Sequence, residues 1–169
     1  MTKSTHAASF AFIALALLFV GGSRATTAYA ALGETADSIT ADAASFNAVT
    51  ARQVARPALN APAVKAYTVE QMTIASGIAV KEYVSPNGRV FAVTWRGRRP
   101  PDMAVLLGSY FTQYQNAARA GGLTAHGLHH ASVRGSDLTV ETAGHMRDMW
   151  GRALLPAMLP PGVEPSEIQ

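Results

Sequence analysis

The stretch YTVEQMTIASGIAVKEYVSPNGRVFAVTWR, residues 67–96, reads as three β-strands joined by two short turns. Tyr67 to Ala75 is rich in Tyr, Val, Thr and Ile, which suit a pleated, half-buried surface. Ser76-Gly77 supplies a two-residue turn into a second strand, Ile78 to Val84. Pro86-Asn87-Gly88 then makes a hairpin loop, with φ preset at Pro86 and a Gly able to take positive φ. Val90 to Arg96 is the third strand. Setting Ser85 opposite Arg89 aligns Tyr83 with Phe91, Lys81 with Val93 and Ala79 with Trp95. Side chains alternate along a strand, so one face gathers Met72, Ile74, Ala79, Tyr83, Phe91, Val93 and Trp95 as a core. Lys81 sits awkwardly in the middle of that face. Its stem must snorkel to an edge, or the register is off by one.

A helix is expected to cover this face. Pro100-Pro101 stops the strand, Asp102 is a good N-cap, and Gly121-Gly122 is a good stop. Between them Met103, Leu106, Leu107, Tyr110, Tyr114, Ala117 and Ala118 recur at helical spacing. A hairpin follows, Leu128 to Arg134 turning at Gly135-Ser136 into Asp137 to Ala143. Pairing Arg134 with Asp137 sets His130 opposite Glu141. Residues 145–155 fit a helix or a strand equally well, and Pro156, Pro160 and Pro161 forbid regular structure soon after. The fold class is therefore α+β: a three-stranded antiparallel meander, a covering helix and a two-stranded hairpin, ending in a Pro-rich tail.

The N-terminus reads as an address. Lys3 precedes an apolar run from Ala7 to Val20, and Ala28-Tyr29-Ala30 is a small-residue cleavage signature. The run is shorter than the roughly 20 residues of a spanning helix. The organisation expected is a signal peptide at 1–30, an Ala-rich arm and connector at 31–66, and one α+β domain at 67–169. Within the arm, Thr35 to Arg52 has a thin helical stripe of Ile39, Ala43, Phe46 and Val49 or Thr50, and Arg56 to Lys65 reads as an extended connector. The expected location is the periplasm or beyond, with no membrane span once the leader is removed.

The 169 residues suit one domain, and 49% hydrophobic content excludes a disordered chain. No Cys is present, which removes disulfides, thiolate catalysis and Cys-based metal sites. Of 14 basic residues, Lys3 and Arg24 lie in the leader, whereas none of the 11 acidic ones does, so the mature net charge falls from +3 to +1. That is no basic field for nucleic acid.

Several segments are similar to a family of uncharacterised secreted proteobacterial proteins, domain of unknown function 2844. They are Ala31-Leu32-Gly33, the run VKEYVSPNGRVFAVTW at 80–95, Pro101-Asp102, Leu106-Leu107-Gly108-Ser109-Tyr110-Phe111, Asp137-Leu138, Gly144-His145-Met146, Gly151-Arg152-Ala153, and Leu159-Pro160-x-Gly162-Val163. Two departures are visible: Arg98-Arg99 makes the loop before Pro101 more charged, and Leu154-Leu155 stands where a bulkier aromatic pair is often found. The resemblance implies a secreted single-domain protein and brings no catalytic residue with it.

Candidate chemistry is sparse. His126, His129 and His130 cluster, but on a strand His129 and His130 point to opposite faces and cannot share an ion. Met146, Met149 and Met158 offer thioethers, which are also ordinary core fillers. Tyr110, Phe111 and Tyr114 could form an aromatic ligand platform, but helical spacing favours core packing, with Phe111 one position off the stripe and expected nearer the surface. His145 with Asp148 could orient an imidazole for acid–base work, yet Ser109, Ser132 and Ser136 lack a nucleophile's setting. Arg96, Arg98 and Arg99 put three guanidinium groups within four residues, and the nearest acid, Asp102, is reserved as a cap. The reading is an exported, non-catalytic binding module of the cell envelope. It needs no metal or cofactor, and it meets an envelope protein or anionic surface through Arg96, Arg98 and Arg99. The alternative is a small envelope hydrolase using His145 and Asp148.

Overall fold

The computed structural model describes residues 32–48, 50–57, 66–125 and 130–169. The expected leader and its junction, most of the connector, and His126 and His129 lie outside the described residues. The fold is mixed α and β, built on one antiparallel sheet. In chain order its strands are β1 (Thr50–Pro57), β2 (Ala66–Thr73), β3 (Ala79–Val84), β4 (Val90–Gly97), β5 (Leu123–Ala125), β6 (His130–Arg134), β7 (Thr139–His145) and β8 (Asp148–Leu154). They lie side by side as β1-β2-β3-β4-β8-β7-β6-β5. Strand β8 thus joins the N-terminal meander to the C-terminal hairpin.

Each face of the sheet carries its own apolar cluster. One holds Met72, Val80, Val93, Trp95, Val140 and Ala153, covered by Leu106 and Leu107 of the helical segment and by Ile39 of α1 (Ser38–Ser45). The other holds Tyr67, Val69, Tyr83, Phe91 and Leu154, covered by Val163 and Ile168 of the C-terminal tail. The Tyr67, Tyr83 and Phe91 rings meet one another with centroids 5.8 to 6.2 Å apart. The tail is strapped down by polar contacts. Arg152 Nη1 donates to the carbonyls of Pro165 (2.6 Å) and Ile168 (3.3 Å), and Lys81 Nζ donates to that of Gln169 (3.0 Å). Tyr83 Oη donates to the Gln169 carbonyl as well.

The register corrects the expected core face. Ser85 does meet Arg89, its N–H donating to the Arg89 carbonyl at 2.8 Å. Beyond that point Val84 pairs with Val90 but Tyr83 pairs with Ala92, so Phe91 is the extra residue of a β-bulge. Every later pair slips by one. Lys81 now lies opposite Thr94 on the tail side, and Tyr83 and Phe91 leave the helix side for the tail side. Met72, Ile74, Val93 and Trp95 stay beneath the helices, joined by Val80, Val84 and Val90. Glu82 comes inward with them and is fully buried. The first turn is longer than two residues: Ile74 N–H donates to the Ile78 carbonyl at 3.0 Å, and Met72 pairs with Val80.

Other elements also depart from expectation. The helix expected over Thr35–Arg52 ends at Ser45, and from Thr50 the chain pairs with β2, Thr50 opposite Thr73 through Pro57 opposite Ala66. Long-range pairing outweighs the weak helical bias of an Ala-rich stretch. The covering helix starts where expected, Asp102 Oδ1 accepting from the N–H groups of Ala104 (2.9 Å) and Val105 (3.4 Å). It then breaks at Gly108 into α2 (Met103–Leu107) and α3 (Phe111–Ala117). The β6–β7 turn uses four residues, so His130 lies opposite Ala143 and Ser132 opposite Glu141. The ambiguous segment 145–155 is the strand β8. Gly151 explains why: a Cβ there would collide with the Trp95 indole, so only Gly lets β8 pass under that ring.

Candidate binding groove

The β7–β8 turn and the end of β4 build the site. His145 pairs with Asp148, leaving Met146 and Arg147 as a two-residue turn. Gly144 at φ 134° lets the strands close here, since a Cβ would lie 2.7 Å from Met149 Cα. Arg147 takes φ 72°, a region that disfavours side chains other than Asn, Asp or Gly. On the neighbouring strand Gly97 pairs with Met149, so Arg98 leaves the sheet beside this turn.

A groove of about 670 Å³ opens there, lined by Arg98, His130, His145, Met146, Arg147 and Met149 with small residues of β5, β6 and β7. Met146 is 90% exposed. Arg98 and Arg147 thus face one space from distant parts of the sequence. Arg99 is exposed but stands outside the groove lining.

Arg96 is not the unneutralised cation that the sequence suggested. Its Nε and Nη2 donate to Asp148 Oδ1 (2.9 Å) and Oδ2 (2.8 Å) as a two-pronged pair. Hydrogen bonding from Arg96, then the charges of Arg96 and His145, hold the Asp148 carboxyl below the ordinary carboxylate range. The pair is therefore intact at neutral pH and is lost only as pH falls through that lowered value. Being solvent-exposed, it orients the two side chains more than it stabilises the fold.

His145 and Asp148 face each other across the β7–β8 turn, and Ser109, Ser132 and Ser136 are placed elsewhere. Asp148 is committed to Arg96, and His145 Nδ1 faces the Met146 carbonyl at 3.4 Å. Ser136 lies in the turn at the opposite end of β7, bonded to Gln113 and to Asp137 Oδ2 (2.9 Å). Ser132 is buried beside Glu141, and Ser109 lies in the short helical turn between α2 and α3. Met158 packs in the tail, apart from Met146 and Met149. Tyr110, Phe111 and Tyr114 pack against the core. Among the described residues no group of three or more His, Asp or Glu could hold a metal ion. No described helix is long and apolar enough to cross a membrane.

Sequence reasoning missed Arg147. Reading 145–155 as a strand would have made Met146-Arg147 a hairpin turn and set Arg147 beside the Arg98 loop. Fold and site together define an α+β protein whose antiparallel sheet ends in a basic groove. The chain belongs to the family described as Protein of unknown function (DUF2844), which it matches over residues 28–168. No curated protein and no solved structure matches it.

Proposed function

We propose that this protein is an exported, non-catalytic binding module of the cell envelope, and that the groove takes an anionic ligand. The observation that carries the reading is the convergence of Arg98 and Arg147 on one open groove whose nearest acid, Asp148, is already neutralised by Arg96. His130 and His145 add imidazoles to the same lining. Export rests on the leader pattern before Ala31. A module reading also fits the strain at Arg147: a cation is kept where the backbone favours Gly, so its value lies outside the fold.

Binding of inorganic polyphosphate tests the reading. The proteins to compare are the wild type, an Arg98→Ser/Arg147→Gly variant, and a charge-matched Arg119→Ser/Arg134→Ser control altered at the other end of β6. At about 0.1 M salt the groove variant should bind about tenfold more weakly, while the control stays near wild type. At about 1 M salt, where the screening length falls to about 3 Å, the difference should vanish. Arg147→Gly relieves left-handed strain, so the groove variant should be no less stable than wild type. Equal loss in both variants would reduce the groove to ordinary surface charge and overturn the reading.

A further inference from the structure

A row of side chains crosses four strands on the sheet face turned away from the helices. Arg96 lies opposite Trp150, Trp150 opposite Ala143, and Ala143 opposite His130. Because Ala143 ends at its methyl group, the His130 ring reaches across it and stacks on Trp150, centroids 6.5 Å apart and planes 29° from parallel. Trp150 is nonetheless 40% exposed. The C-terminal tail reaches this face over Leu154 and Arg152, the nearer of them two residues and about 7 Å along β8, and leaves Trp150 partly open. On the other side of the indole the Arg96 fork is held in place by Asp148.

An exposed flat indole is thus framed by an imidazole and an ordered guanidinium–carboxylate pair. A pyranose ring has the complementary chemistry: an apolar C–H face to stack, with hydroxyl groups at its rim to donate and accept. Membrane insertion fits less well, because burying Trp150 in lipid would carry the Arg96–Asp148 pair out of water with it. Trp150 is not itself in the groove lining: Ala131, Thr142 and Met149 line the groove from the other face of the sheet, while Arg98 and Arg147 stand at the strand ends where the two faces meet. The sugar that fits best is therefore an extended chain that rounds this end and carries carboxylates.

Resting on the anionic-ligand reading above, we propose that the ligand is an acidic oligosaccharide. One uronate ring stacks on Trp150, Arg96 and Asp148 hold its hydroxyl groups, and Arg98 and Arg147 take carboxylates along the chain.

The chain has two Trp residues, and Trp95 is only 2% exposed, so a ligand-dependent change in Trp emission or in acrylamide quenching reports Trp150. Oligogalacturonate should shield Trp150 from acrylamide in the wild type. A neutral malto-oligosaccharide of equal length should bind at least about tenfold more weakly. A Trp150→Leu variant, which keeps an apolar side chain but loses the ring, should lose about tenfold in oligogalacturonate affinity. Phosphatidylglycerol vesicles and polyphosphate form the parallel arms. Binding to either of these without oligogalacturonate binding overturns the saccharide inference and leaves the anionic groove standing. No binding to any of the three overturns both. Undiminished binding by Trp150→Leu, or unaltered quenching of the wild type at saturating oligogalacturonate, removes Trp150 from the site.

Discussion

Replacing Trp95 with Ala should cost about 3–5 kcal/mol and leave the domain barely folded. Trp95 is buried under the helical segment with Val80 and Val93, and its indole lies directly over Gly151 of the adjoining strand. That contact predicts a coupling as well as a loss. Gly151→Ala should destabilise the wild type by about 1–3 kcal/mol, because the added methyl enters the ring and the core has no slack to absorb it. In a Trp95→Ala background the same methyl enters the space the ring has left, so its cost should fall, keeping only the part due to the Glu141 carbonyl 2.9 Å away. Urea unfolding of the four proteins in this cycle measures both effects. Additive losses would mean that the ring does not rest on Gly151, and an unchanged midpoint for Trp95→Ala would mean that it is not in the core.

Ile168→Ala should cost about 2–5 kcal/mol, although the residue lies in a tail with no strand and only short helical turns. Here Ile168 is almost fully buried against the Tyr67, Tyr83 and Phe91 face, and the carbonyls around it hold Arg152, Lys81 and Tyr83. Arg152 is tied besides to Glu141, Nη2 to Oε2 at 2.7 Å, with both side chains largely shielded from water. The tail therefore closes the second core and caps a half-buried ion pair. Thermal unfolding of Ile168→Ala beside Glu164→Ala, whose side chain is exposed, checks the point. The first should melt well below wild type and the second with it. Two equal melting curves would make the tail a loose appendage.

Local signals in the sequence reached the strands of residues 67–96, the Pro86-Asn87-Gly88 turn and the Asp102 cap, because each depends on a few neighbouring residues. The bulge at Phe91 has no such signature. It follows from which register buries more, and that depends on a tail some 70 residues away in the chain. Lys81 carried the warning, since its place in the expected core was the sign of a slipped register. β1 was hidden for a related reason: it lies in an Ala-rich arm and its sequence, TARQVARP, has little strand character, so pairing with β2 makes the strand.

Two of the site's features were equally non-local. The carboxylate that neutralises Arg96 lies 52 residues further on, and β8 brings it alongside only as a strand. Arg147 occupies a turn position where Gly or Asn would have advertised the turn, so the cation that completes the groove also disguises the hairpin. Arg98 was found because adjacent charges are visible without any fold.

Amide chemical-shift mapping during a polyphosphate titration shows whether an anionic ligand occupies this groove. Shifts should concentrate at Gly97 and Arg98, at His130, and from Gly144 to Met149, and they should vanish in the Arg98→Ser/Arg147→Gly protein. Shifts that instead centre on Arg119 and Arg134, or that spread evenly over exposed basic residues, would contradict the account.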